Sequence, residues 1–314
     1  MLLYVVQRIG LALLICFTAM VMLFSALKLV PGDPATIMLG SRASAEMKAR
    51  ITEEMMLDKS VIEQLIVFFS RIFRADLGID VWSQRPIATM IWDSLPYTLM
   101  LIGVGLGWAA LVGIPLGCYS AIRRNSFLDK LTGVLSVGTI SIPSFVVAVY
   151  VILLFSIELG WLPFIGAGEP GDPFDQTLHL LMPGLALGLG WVGYLSRIVR
   201  ASMLEVMSEN HVRTARAFGL PELQIIKSYA LRIAILPTIT LLALAIGGLL
   251  SSAVFIEFLF ARPGIGKLIV DAANIRNVPV VQGAVLTTVF LFTIAMLIAD
   301  LLIVWLDPRA RAKL

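Results

Sequence analysis

Six runs of apolar residues, each ended by a polar or breaker-rich stretch, set the limits on what this chain can become. They lie at about 9–30, 96–122, 131–159, 181–195, 235–260 and 281–306. A bilayer's hydrocarbon core takes about 20 residues of helix, so the runs predict roughly six crossings rather than a soluble core. Composition agrees, with 59% hydrophobic and 14% charged residues and a mean hydropathy of +0.93, outside the range of soluble domains. Arg8 ahead of the first run has the form of a secretory leader. The run continues to about Val30, however, and has no small-residue cleavage site, which predicts a retained first span. The net charge of +3 points to no nucleic-acid partner.

The polar stretches supply orientation. Pro31, Gly32, Asp33 and Pro34 turn the chain out of the first span, and a long segment of mixed charge follows. Within it Val61–Phe73 is apolar but too short to cross, which predicts an interfacial or re-entrant helix. The link at 123–130, the stretch at 196–236 and the tail with Arg309, Arg311 and Lys313 are rich in Lys and Arg. The stretch at 159–180 carries Glu169, Asp172 and Asp175 and no Lys or Arg. The bias of positive charge toward the cytoplasm therefore predicts that the basic segments and both termini are cytoplasmic. The expected division is a first transmembrane helix at 1–30, an extracytoplasmic segment at 31–95, and a core of five helices at 96–310 containing a cytoplasmic loop at 196–236.

That loop is the longest polar interruption in the second half of the chain. Arg197, Arg200, Arg213, Arg216, Lys227 and Arg232 lie in it, with apolar residues at helical spacing: Met203, Val206 and Met207, then Leu223, Ile226 and Tyr229. The pattern predicts a pair of short amphipathic helices. Gly219 suits the left-handed position that ends one helix, and Pro221 suits the first turn of the next. Ala215 and Ala217, just before the break, are small enough to let another protein's surface come close. The stretch reads as a docking knuckle on the wet side of a membrane.

The run TARAFGL, followed by IKSYALRIAILP, resembles the cytoplasmic "EAA" coupling loop of bacterial ABC importer permeases. Thr214, Ala215, Arg216 and Ala217 stand at the start of that motif and Gly219 at its glycine. The proline-glycine-aspartate-proline turn after the first span, Asp76-Leu77-Gly78, and the Pro263-Gly264 turn before a short outer helix resemble the peptide-type branch, the dipeptide, oligopeptide and nickel permeases. The chain departs from that branch at Met296, where relatives often have Asn four residues before the equivalent of Asp300.

The resemblance implies an all-α membrane protein of about six transmembrane helices, like type I ABC importer permeases, with a long extracytoplasmic segment after the first helix. It implies a subunit of an ATP-driven importer in the bacterial inner membrane. The implied partners are a second homologous permease, two cytoplasmic ATPase subunits, an extracytoplasmic solute-binding protein and the lipid bilayer. No cofactor is implied in this chain; ATP and Mg are bound by the partner ATPases. The implied coupling residues are Arg213, Thr214, Ala215, Arg216, Ala217, Phe218, Gly219, Leu220, Pro221 and Glu222. Short peptides are the first expectation for the substrate, with glutathione, metal chelates and small oligosaccharides open.

Other features are read more plainly. Residues 261–267 end in Gly266-Lys267, but a phosphate loop needs glycine where Ala261 stands and Ser or Thr where Leu268 stands. The chain is therefore expected to be a transport subunit without its own nucleotide site, not an enzyme. Glu257 and Asp300 lie near span ends, where intramembrane acids attract a functional reading. Their placement favours interfacial or helix-satisfied roles instead. His179 and His211 stand alone, and Cys16 and Cys118 have no metal-ligand or disulfide spacing. Pro143 predicts a kink in the third span. Gly184, Gly188, Gly190 and Gly193 predict close helix packing in the fourth. An ion-coupled secondary transporter would show internal repeats and paired intramembrane charges. An intramembrane enzyme would carry a motif such as HExxH or GxSxG. Neither pattern is read here.

Overall fold

A computed structural model of the chain describes residues 2–29, 44–54, 58–74, 76–80 and 82–306. The expected turn at 31–34 and the basic tail at Arg309, Arg311 and Lys313 lie outside these residues. In order, the helices are α1 (Leu2–Leu29), α2 (Ala45–Glu54), α3 (Val61–Phe73), α4 (Ile87–Ile122), α5 (Phe127–Ser141), α6 (Ser144–Val151), α7 (Pro173–Met207), α8 (Asn210–Ala217), α9 (Glu222–Gln224), α10 (Leu231–Ala234), α11 (Leu236–Leu259), α12 (Ile265–Asn274) and α13 (Val278–Leu306). Two π-helical segments, Ile152–Glu158 and Ile225–Ala230, follow α6 and precede α10. Among the described residues, extended pairing is limited to one antiparallel bridge between Ile79 and Pro86.

Among the described residues, five helical stretches are long and apolar enough to cross a membrane: Val6–Ala26, Ile87–Ile122, Pro173–Met207, Leu236–Leu259 and Val278–Leu301. A sixth crossing exists only as a broken pair, α5 with α6 and its π extension, bent by 100°. The all-helical architecture of about six spans expected from the apolar runs is the one observed.

Three spans differ from the sequence expectation. The run at 131–159 is not one helix, because Pro143 has no N–H to donate and pushes the residue before it out of helical geometry. Ile142 is accordingly extended, at φ −91 and ψ 121, and the kink expected at Pro143 is a sharp corner. The second span opens at Pro86 rather than Pro96, with the Pro86 carbonyl accepting from the N–H groups of Thr89 and Met90 at 3.1 and 3.3 Å.

The fourth span starts early and ends late. Asp172 caps it by accepting from the N–H groups of Phe174 and Asp175, with Pro173 in the first turn. No break follows at residue 195, so the expected first amphipathic helix of the knuckle is the continuation of α7. At 1.5 Å per residue such a helix is about 50 Å long against a hydrocarbon core of about 30 Å, so its end must project beyond the core.

The chain groups into two compact units. One is drawn from Met1–Thr98 and Arg262–Ile294. Its core is Ile87, Ile91, Ile265, Ala272, Val280, Val281 and Ala284. The α12 start is tied in by the Ile265 N–H, which donates to Thr98 Oγ1 at 2.9 Å. Helix α3 opens with a capping box, Ser60 and Glu63 each accepting from the other's backbone N–H. It packs on α1 through Phe69 stacked on Phe17 at 5.1 Å.

The other unit is drawn from Leu99–Ala261 and Ala295–Leu314. Helix α7 is its axis, with α5, α6 and α11 packed on it. Helix α4 lies against it too, and glycine permits the close approach: a Cβ at Gly188 would lie 2.2 Å from the Gly105 carbonyl oxygen of α4 and 2.4 Å from Trp108 Nε1. That indole N–H is itself used, donating to the Gly184 carbonyl at 2.8 Å.

Candidate functional site

The polar knuckle after α7 is built on an apolar base. Val199, Met203 and Val206 from the end of α7 share one buried cluster with Ala121 of α4, Val212 and Ala215 of α8, and Ile225, Ala230 and Ala234. Helix α8 is only two turns long, too short to stand alone in water. It is held because its apolar residues sink into this cluster while Arg213, Thr214, Arg216 and Ala217 face outward.

The turn itself is a helix stop of defined form. Gly219 has φ +76, a conformation that a residue with a Cβ adopts only under strain. Its N–H donates to the Arg216 carbonyl at 2.9 Å, and the Leu220 N–H reaches back to the Ala215 carbonyl at 3.3 Å. These are the two hydrogen bonds of a Schellman stop, and they satisfy carbonyls the helix end leaves over. Pro221 then opens α9, its carbonyl accepting from the N–H groups of Gln224 and Ile225.

An ion pair closes the knuckle. Arg216 donates twice to Glu222, Nη2 to Oε1 at 2.7 Å and Nε to Oε2 at 3.2 Å. The guanidinium holds the Glu222 carboxyl below its ordinary range, and the carboxylate raises Arg216 in turn. Both side chains remain about half exposed, at 42% and 53%. The pair therefore adds little stability of its own, but it fixes the turn's shape. The knuckle displays apolar surface at Phe218, 81% exposed, and just past Glu222 at Leu223, 63% exposed. Large apolar groups held out on a rigid, basic-flanked turn are suited to entering a groove on another protein. All ten residues singled out from the sequence, Arg213 through Glu222, fall on this one feature.

The other singled-out residues are dispersed. His179 lies against Asp175 in α7, and His211 against Glu209 at 3.1 Å at the start of α8. Glu257 is fully buried in α11. In residues 261–267, Ala261 takes φ +48, and Gly264 precedes α12 as its cap.

Three polar arrangements escaped the sequence reading. Arg200 of α7 donates to Asp129 of α5, Nε to Oδ1 at 2.6 Å and Nη2 to Oδ2 at 2.9 Å. Asp80 is 4% exposed and accepts from Ser83, from the N–H of Trp82 and from Asn277 Nδ2. Burial pushes its carboxyl up, but the hydrogen bonds from Ser83, Asn277 and the two backbone N–H groups outweigh burial and hold it below its ordinary range. Arg262 is 2% exposed, with its guanidinium 5.5 Å from the Tyr97 ring centre. The only advance signal for each is a charged side chain close to an apolar run, with no hint of its partner.

Comparison with known proteins gives the relatives of the whole chain. Residues 113–312 match the family described as "Binding-protein-dependent transport system inner membrane component", and residues 1–102 match its N-terminal counterpart. A glutathione transport system permease protein, GsiC, of Escherichia coli (strain K12) is 33% identical over 313 residues, covering 100% of each chain. The protein of the same name from Pectobacterium atrosepticum is 34% identical over 294 residues, 94% of each chain. Among solved structures, the MetNI methionine ABC transporter in an inward-facing conformation is similar in fold. Its TM-score is 0.57 at 16% identity, covering 70% of this chain and 97% of that chain. With that family match and full-length relatives, the chain belongs to the binding-protein-dependent transport system inner membrane components and is a multi-pass transmembrane permease subunit.

Proposed function

We propose that this subunit pairs with a second, homologous permease and two cytoplasmic ATPases to import short peptides delivered by an extracytoplasmic binding protein. Glutathione is the first solute to test, because the full-length relatives at 33–34% identity carry that name. The knuckle at Arg213–Glu222 faces the cytoplasm, as do both termini, and seats Phe218 and Leu223 in a groove on an ATPase. ATP and Mg are bound by the ATPases. Nucleotide binding draws them together, the knuckle carries that movement into α7, and hydrolysis resets the pathway. This chain contributes no nucleotide site and no bond-breaking chemistry.

The observation that carries the reading is the clasped turn. Gly219 at φ +76 and the Arg216–Glu222 pair hold an apolar apex outward, an arrangement with no use on a surface that meets only water. The test is affinity purification of the tagged chain from native membranes in detergent, with mass spectrometry and an ATPase assay. Co-purification of a second permease and ATPase subunits is expected, with hydrolysis raised by binding protein loaded with glutathione. Recovery of the chain alone, moving solute without nucleotide, would overturn it.

A further inference from the structure

The two ends of α5 do different things. Its last residue meets the corner at Ile142 and Pro143, where the broken pair turns by 100°. Its first turn is anchored. Ser126 caps it by accepting from the Asp129 N–H at 3.2 Å, and the Asn125 N–H donates to Asp129 Oδ2 at 2.9 Å. The same carboxylate, 5% exposed, takes both donors of Arg200 in the bidentate geometry that fixes orientation as well as distance.

Arg200 stands between Val199 and Met203, two residues of the cluster that packs the knuckle helices onto α7. One side of this stretch of α7 therefore holds the knuckle and another holds α5. About two turns further along, the helices touch again. A Cβ at Gly193 would lie 2.3 Å from Thr139 Oγ1 and 2.7 Å from the Ser136 carbonyl oxygen. As the α5 residue number rises from Asp129 to Ser136, its α7 partner falls from Arg200 to Gly193, so the helices run antiparallel and are joined at two levels. A helix fixed at one level can pivot on its neighbour; fixed at two, it is carried along. Glycine contact alone leaves the knuckle end of α5 able to swing away.

We propose that the Asp129–Arg200 ion pair is the clamp that makes α5 travel with α7, so that displacement of the knuckle reaches the corner at Ile142–Pro143. Asp129 and Arg200 are positioning residues for transport. The inference rests on the knuckle as the ATPase contact and adds what lies behind it. A merely structural pair would hold the resting fold and be indifferent to nucleotide. A clamp matters when α7 moves, and an element tied at both levels responds as one body.

The test uses the whole complex, purified through a tag on this chain that lacks Cys16 and Cys118. Spin labels are placed at two exposed sites, Val134 on α5 and Glu205 on α7. Their separation is measured without nucleotide and with trapped ATP. In the parent complex it is expected to stay constant. In Asp129→Asn the complex is expected to assemble, but the distance distribution shifts and broadens when ATP is added. Arg200→Lys, which keeps the charge but not the bidentate fork, is expected to be intermediate. Glutathione moved per ATP hydrolysed is expected to fall about tenfold in Asp129→Asn, a typical size for lost coupling between sites.

A distance that stays fixed in both variants overturns the clamp, as does one that already changes in the parent. Failure of both variants to assemble assigns the pair to folding and overturns it too. Phe218→Ala separates the two ideas. If that variant recovers its ATPases undiminished, the knuckle contact is wrong, whereas the clamp is judged only within complexes that have assembled.

Discussion

Replacing Gly188 by alanine adds one methyl at the tightest helix contact in the unit built on α7, and the outcome can be sized in advance. The new Cβ would sit 2.2 Å from the Gly105 carbonyl oxygen and 2.4 Å from Trp108 Nε1. Real carbon–oxygen contacts need about 1 Å more, and the obstacle is backbone, which has no rotamer to escape into. Relief requires separating α7 from α4, which also strains the Trp108 bond to the Gly184 carbonyl. Forced overpacking of this kind costs about 1–3 kcal/mol, and the rigid obstacle puts Gly188→Ala in the upper half. For a chain of 314 residues, with an unfolding entropy of about 2.1 cal/mol/K per residue, that lowers the apparent melting midpoint by about 3–5 °C. The internal control is Gly107→Ala on α4, where a Cβ meets nothing within 4 Å. The better helix former there leaves stability unchanged or raises it by up to about 1 kcal/mol. The assay is a thermal melt of detergent-purified protein followed by size-exclusion fluorescence. A Gly188→Ala midpoint equal to that of Gly107→Ala would refute the packing argument.

Gly219→Val puts a β-branched side chain at φ +76, which costs about 1–3 kcal/mol of local strain. It is expected to keep the membrane fold but to lose substrate-stimulated ATP hydrolysis in the assembled complex. Glu222→Gln leaves the stability within about 1 kcal/mol of the parent, since the Arg216 pair is exposed, yet lowers the recovery of ATPases in a pull-down. Asp80→Ala strands the donors of Asn277 and Ser83 and is expected to destabilise by about 1–3 kcal/mol in the same melt. The Asp80 carboxyl is held below its ordinary value. Its stabilisation is therefore fully present above about pH 3.9 and is lost as pH falls through the lower folded value. Asp80→Asn should flatten that acid-side fall in melting midpoint.

The spans were legible because twenty-residue apolar runs have few uses, and the knuckle because Gly219 and Pro221 break a helical pattern in a readable way. What failed was continuity. Where the side chains of α7 change from apolar to amphipathic, the sequence reads as a new helix, although no residue there stops the old one. Pro143 announced a bend, but a 100° corner depends on how α6 packs against α7. The polar clasps were invisible for a simpler reason. Asp129 and Arg200 are 71 residues apart, and Asp80 and Asn277 are 197 apart, and such pairings are chosen by tertiary packing. Arg262 is buried beside Tyr97 at the turn into α12, and the sequence of that turn carries no sign of the aromatic ring 165 residues earlier.

In the proposed function, the knuckle is the contact through which an ATPase drives this permease. That contact is tested most directly by placing a photo-crosslinking amino acid at Phe218 in the assembled complex and identifying what it captures. An adduct with an ATPase subunit is expected, lost when Gly219 is replaced by valine. Adducts with lipid alone, from complexes in which the ATPases are present and active, would contradict it.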